Sequence, residues 1–109
     1  MAGAIARGEI RLATLPAPDK ARPVVVLTRN SVIASLSSVT IAPITSAIRG
    51  VRSEVRLDEN DGMKFPCAVN LHNTVTIPQR WLGPRLAQLS AVRLEEVCAA
   101  LNFAIGCDV

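Results

Sequence analysis

Residues 22–28, Arg-Pro-Val-Val-Val-Leu-Thr, carry three consecutive valines with no polar residue between Pro23 and Thr28. β-Branched side chains fit the pleated surface of a strand, and an apolar run without alternation must bury both of its faces. The rest of the chain therefore has to cover this strand twice. Its 109 residues, 50% of them hydrophobic, are ample for one core. They leave no room for two independent cores, so a single domain over residues 1–109 is expected. Pro23 is compatible with the reading because its missing N–H falls at the start of the strand.

Shorter pieces of the same pattern recur along the chain. Residues 7–13 alternate, with Ile10 and Leu12 on one face and Glu9 and Arg11 on the other. A Pro-rich loop follows at 15–21. Residues 31–36 suit one helical turn, and 38–45 are β-branched again, with Pro43 marking an irregularity or an edge. A small basic loop at 47–52 leads to an alternating stretch at 53–57 and a compact acidic turn at 58–62. Strand candidates follow at 65–71 and 74–77, then a short helical or turn segment at 78–82 and a last strand at 83–89. Ser90 caps a helix predicted over 91–105. There Val92, Leu94, Val97, Cys98, Leu101 and Ile105 contain the 3-4 spacing of a buried stripe, and Gly106 ends it. Many short strands with one terminal helix predict a small, curled antiparallel sheet or barrel. The edges of such a sheet make dimerisation expected.

Several classes are excluded or disfavoured. No apolar stretch approaches the roughly 20 residues of a membrane span. The N-terminus lacks the basic and apolar regions of a signal peptide, so the expected location is the cytoplasm. Cys67, Cys98 and Cys107 are odd in number and form no CxxC pair. With a single histidine, His72, neither a disulfide framework nor a metal site is expected, and no cofactor motif is present. Phe65, Trp81 and Phe103 are the only aromatics, too few for the stacking platform of an RRM or OB fold. The net charge is +3, and only Lys20 and Lys64 of the 12 cations are lysine. Arginine's planar fork matches phosphate, although ordinary surface charge gives the same count.

What remains is a polar set beside apolar strands. Arg22 precedes the buried run, Thr45 and Ser46 end another strand, and Asn70, His72 and Asn73 interrupt a third. Strand ends are rigid places to hold reactive groups. Each residue also has a plain structural reading: Arg22 covering a sheet edge, Thr45 and Ser46 capping a turn, His72 a satisfied surface histidine.

The ordered set Arg7-Gly8-Glu9-Ile10, a Pro-rich loop, Arg22-Pro23-Val24-Val25-Val26-Leu27, Ile44-Thr45-Ser46, the stretch 67–73 (CAVNLHN), residues 85–90 (RLAQLS) and Leu94-Glu95-Glu96-Val97 resembles the MazF/PemK/Kid family. These are toxins of bacterial toxin–antitoxin pairs, and the likeness spans nearly the whole chain. It implies an SH3-like small β-barrel with a C-terminal helix and a homodimer. It also implies metal-independent cleavage of single-stranded RNA that leaves 2′,3′-cyclic phosphate and 5′-OH ends. The family's catalytic arginine matches Arg22, and its catalytic threonine or serine matches Thr45, with Ser46 beside it. The third segment departs from the pattern: some members carry a basic or polar residue, one further position, an Asp acting as base and then a Gln. Here the matching positions are Asn70, His72 and Asn73. An imidazole can serve as base near neutral pH, or His72 can contact a base of the RNA. Lys20, Arg49 and Arg52 are expected to grip phosphates, with Ser46, Asn70 and Asn73 as further RNA contacts. Trp81 suits a core anchor, an interface or a stacked base. The expected partner is single-stranded RNA, and the sequence leaves open whether the natural target is mRNA, tRNA or rRNA. A cognate antitoxin is expected as partner, an acidic disordered segment being drawn to a basic groove. A gyrase-poison type of toxin acting by protein contact, or an inactive antitoxin-binding relative, is the competing reading.

Overall fold

The computed structural model describes residues 4–16 and 20–107; the centre of the Pro-rich loop, residues 17–19, lies outside them. Seven strands form one antiparallel sheet: β1 Glu9–Thr14, β2 Ala21–Val26, β3 Ser38–Thr45, β4 Glu54–Leu57, β5 Cys67–Asn70, β6 Val75–Pro78 and β7 Leu82–Gln88. A single turn of helix, α1 Asn30–Ile33, bridges β2 and β3, and a longer helix, α2 Ala91–Ile105, follows β7. The strand order is β4-β5-β3-β2-β1-β7, with β6 also on β3. Among the described residues no pairing joins β4 to β7, so the sheet curls without closing and the barrel description holds only loosely.

The valine run behaves as its composition demands. Val24, Val25 and Val26 are all fully buried. Val25 faces a core shared with Ile10, Ala42, Ile44, Val69 and Val97 of α2. Val24 and Val26 face a second core with Val39, Ile41, Ile77 and Ile33 of α1, against which Trp81 packs. Trp81 is thus a partly buried anchor of that second core. Curling allows one small sheet to bury both faces of its central strands.

The partner of β3 changes along its length. Ser38 to Ile41 pair with β6, whereas Ile44 and Thr45 pair with β5 on the same edge. Pro43, which lacks an N–H to donate, sits where the exchange occurs. The strand expected at 65–71 begins only at Cys67, because Pro66 removes a ladder donor and restricts Phe65 before it.

Two details depart from the simple patterns. In β1 the polar residues are inside: Glu9 and Arg11 are 5% and 7% exposed, while Leu12 is 37% exposed. The cause is a closed ion pair. Arg11 Nε donates to Glu9 Oε1 at 2.8 Å, Arg11 Nη1 donates to the Gly83 carbonyl at 3.0 Å, and the Ala6 N–H donates to Glu9 Oε1 at 3.0 Å. In α2, Ser90 Oγ caps the first turn by accepting from the Arg93 N–H, and Gly106 at φ 77° ends the last. The core-facing stripe is Leu94, Val97, Ala100, Leu101 and Ala104. Val92 and Ile105 lie outside it, 65% and 58% exposed. Val92 stands roughly 140° around the helix from Val97 at about 100° per residue.

Burial alone would raise the pKa of Glu9. The Arg11 hydrogen bond, the Ala6 amide and the charges of Arg11 and Arg85 outweigh it and hold the carboxyl below its ordinary 4.5. A depressed folded-state pKa stabilises the fold fully above 4.5, and this contribution is lost as pH falls through the folded value. Glu9→Gln leaves the Arg11 guanidinium buried without its counter-charge, so it is expected to destabilise the fold by about 3 kcal/mol at pH 7. It should also flatten the acid limb of the stability–pH curve. Urea melts of both proteins between pH 3 and 7 measure this, and superimposable acid limbs would remove Glu9 from the explanation.

Candidate active site

The β2–β3 ladder pairs Val26 with Ile41, Val25 with Ala42 and Val24 with Pro43. Carried two residues further, that register sets Arg22 across from Thr45. The ladder stops short of them. Pro23, which faces Ile44 in that register, has no N–H to give. Beyond this point Arg22 stays paired with Ala13 of β1, and Thr45 stays paired with Ala68 of β5. A cleft of about 520 Å³ lies at this end of the two strands, with Arg22, Thr45 and Ser46 in its walls.

Both side chains are positioned by their own neighbours. The half-buried Arg22 reaches back along the cleft, its Nη2 3.5 Å from the Ile44 carbonyl to which it donates. Thr45 Oγ1 accepts the Ala47 N–H at 3.0 Å, which fixes the hydroxyl at the strand's end and leaves its own proton available to donate. Ser46 is exposed beside it.

The facing wall comes from the acidic turn. The Asp58 side chain accepts the Asn60 N–H and the Asp61 side chain accepts the Asp58 N–H, each at 2.9 Å. Gly62 follows at φ 90°, where an added Cβ would lie 3.0 Å from Ala87 Cβ. Asp61 Oδ1 also accepts from Arg93 Nε of α2 at 3.0 Å, which ties the turn to the helix. Burial opposes ionisation of Asp61, but the Arg93 hydrogen bond, the Asp58 amide and the Arg93 charge prevail and keep its pKa below 3.8. From this anchored turn Met63, Lys64 and Phe65 extend into the cleft. Sequence reasoning read 58–62 as a connection and placed Phe65 in a strand, so it nominated neither Lys64 nor Phe65. The Phe65-Pro66 step was the available signal. Cys67, also in the wall, has its thiol pushed up by burial, with Asp61 and Asp58 adding to the effect. It therefore stays protonated at neutral pH and is no thiolate nucleophile.

The other nominated residues lie elsewhere. His72 sits in the 3-10 turn Leu71–Asn73 beyond β5. Its N–H is donated to Asn70 Oδ1 at 3.1 Å, and its ring Nδ1 shares a short hydrogen bond with Ser53 Oγ. Because β5 runs antiparallel to β3, this turn follows the end of β5 that points away from Thr45, and neither His72, Asn70 nor Asn73 lines the cleft. Asn70 is engaged as the cap of that turn, whereas Asn73 is exposed. The backbone N–H groups of Arg49 and Gly50 both donate to Glu54 Oε1 at 3.0 Å, and Arg49 itself is exposed. Arg52 stacks on Phe103 of α2, its guanidinium carbon 4.1 Å from the ring centroid. Lys20 is exposed at the start of β2 with a left-handed φ of 55°. Among the described residues no group of three or more His, Cys, Asp or Glu is placed to hold a metal ion, and no helix is long and apolar enough to cross a membrane.

"Endoribonuclease MazF3" of Mycobacterium tuberculosis is 41% identical over 90 residues, covering 83% of this chain and 87% of that protein. "Probable endoribonuclease MazF5" of the same species is 37% identical over 104 residues, 94% of each. The solved "Mycobacterium tuberculosis toxin MazF-mt6" superimposes with a TM-score of 0.83 at 40% identity, covering 90% of this chain and 96% of that one. At 21% identity, a mycobacterial "endoribonuclease in complex with its cognate antitoxin" shares the fold with a TM-score of 0.84 over 94% of this chain and 96% of that one. The model of the PemK-like, MazF-like toxins of type II toxin–antitoxin systems matches residues 6–105, from the turn before β1 to the end of α2, and the chain belongs to that family.

Proposed function

We propose that this toxin is a metal-independent endoribonuclease that cleaves single-stranded RNA at Arg22 and Thr45. The observation that carries the reading is the cleft at the end of the β2–β3 ladder, which has both of those residues in its wall. The 2′-OH attacks the adjacent phosphorus and gives up its proton to water as the 2′-O–P bond forms; the P–O5′ bond breaks, and the leaving O5′ takes a proton from water. The ends are a 2′,3′-cyclic phosphate and a 5′-OH. Charge builds on the phosphoryl oxygens, where a guanidinium fixed at the cleft donates to it. The Thr45 hydroxyl, aligned by the Ala47 amide, donates to a second oxygen and holds the linkage for in-line attack. Because the nucleophile belongs to the substrate, the protein supplies orientation and positive charge.

Ser46 presents an exposed hydroxyl in the cleft wall, and Lys20 and Arg49, outside that wall, are exposed cations suited to phosphates further along a bound strand. Arg52 adds its charge from its seat on Phe103. Asn73 and, after release of its cap, Asn70 offer amides to base edges. For His72 the base role ranks second to an RNA-contacting one, because its ring Nδ1 is engaged with Ser53 and its turn stands apart from the cleft in the single chain. The protein works as a homodimer whose cytoplasmic partner is a cognate antitoxin. A neighbour of the same fold has been solved with its antitoxin, and an acidic segment laid over Arg22 and Lys64 would shut the cleft. The competing reading, a toxin acting by protein contact, has no need of Arg22 beside Thr45.

Purified protein with single-stranded RNA in EDTA is expected to cleave at discrete sites and leave cyclic phosphate ends. Arg22→Ala should lower the single-turnover rate by about 10²–10³ with the fold intact. A 2′-deoxy sugar at the cleaved position should abolish reaction, so cleavage of that analogue would refute the mechanism. His72→Ala is expected to leave the shape of the rate–pH profile between pH 5 and 8 unchanged. Loss of a limb of that profile would return His72 to the chemistry.

A further inference from the structure

Phe65 is 64% exposed in the wall of the cleft that also holds Arg22, Thr45 and Lys64. Single exposed apolar side chains are ordinary, but three features distinguish this one. Its loop is fixed at both ends, by the Asp61–Arg93 pair and Gly62 before it and by Pro66 and β5 after it. Its cleft neighbours Met63 and Leu86 are apolar, and Leu86 is itself 49% exposed. The same wall, otherwise largely apolar, also holds the cations Arg22 and Lys64 and the hydroxyls of Thr45 and Ser46. An apolar ring bordered by a guanidinium and an ammonium matches a nucleotide, with the base on the ring and the phosphates on the cations. The volume of about 520 Å³ falls within the roughly 300–1,000 Å³ of pockets that enclose small organic ligands.

We infer that Phe65 stacks on a base next to the scissile linkage and that Lys64 holds a neighbouring phosphate. The inference rests on the ribonuclease reading of the cleft. A stacked ring offers no donor or acceptor to a base edge, so it tolerates any base. Phe65 and Lys64 therefore set where the strand lies and how tightly, and leave the choice of bases to polar groups. Asp61 and Arg93 act through this loop as positioning residues.

The test uses an oligoribonucleotide that the wild-type protein cleaves, made 2′-deoxy at the cut and carrying 2-aminopurine on one side of it or the other. Wild-type protein is expected to change the fluorescence of one flanking position on binding. Phe65→Ala should abolish that change and raise KM about tenfold or more on the cleavable RNA, in line with the measured cost of losing one base–aromatic stack. Phe65→Trp should restore both. Lys64→Ala should weaken binding and reduce the slope of log affinity against log salt by about 0.7, the value for one phosphate on a single strand. Equal KM and fluorescence for wild type and Phe65→Ala would overturn the inference. So would a monomer–dimer shift in Phe65→Ala measured by light scattering, which would place the ring against a second copy. If the wild-type protein cleaves no RNA, the ribonuclease reading fails. If it cleaves and Arg22→Ala does not, yet Phe65→Ala matches wild type, only the present inference falls.

Discussion

The pairing of Val24, Val25 and Val26 with Pro43, Ala42 and Ile41 is the constraint on which the rest of the molecule hangs. These rungs are the middle of the sheet, and both of their faces are covered, one by α2 and the other by α1 with Trp81. A slip of one residue would exchange the two cores and turn every side chain of β2 to the wrong face. The same alignment leaves Arg22 and Thr45 at the end of neighbouring strands, where both line one cleft. Packing and site geometry therefore have one origin: the apolar residues choose the alignment, and the polar ones ride on the ends of the strands it aligns.

Much of the fold was legible because its elements are short and sharply punctuated. The seven strands, the Ser90 cap and the Gly106 stop follow from β-branched runs and turn residues. Periodicity failed where side chains satisfied one another. Glu9 and Arg11 are polar letters in an alternating strand, yet each supplies what the other needs out of water, and Leu12 turns outward instead. In α2 the spacing counted too many apolar residues as buried, since a helix against a narrow sheet covers only one stripe.

The candidate site was legible in part. Arg22 and Thr45 were visible because both terminate strands of the central ladder. That both line one cleft was not, because it depends on which strands pair. The wall carrying Lys64 and Phe65 was hidden for a similar reason: the acidic turn reads as a connection until Asp61 is seen bound to Arg93, a residue 32 positions away. Charge counting also overstated the cations available to a polyanion. Arg11 is sealed against Glu9, Arg93 is spent on Asp61 and Glu96, and Arg7 donates to the Leu27 carbonyl and lies against Cys98. What faces solvent near the cleft is a smaller and more specific set than the total suggests.

The proline at the end of the β2–β3 ladder has a further effect. In that register Pro23 lies across from Ile44 and has no N–H to offer its carbonyl. The Arg22 guanidinium takes the place of the missing donor, at 3.5 Å. One absent hydrogen thus shortens the zipper and tethers the arginine beside it, so the side chain is held by its own backbone and needs no guest to order it.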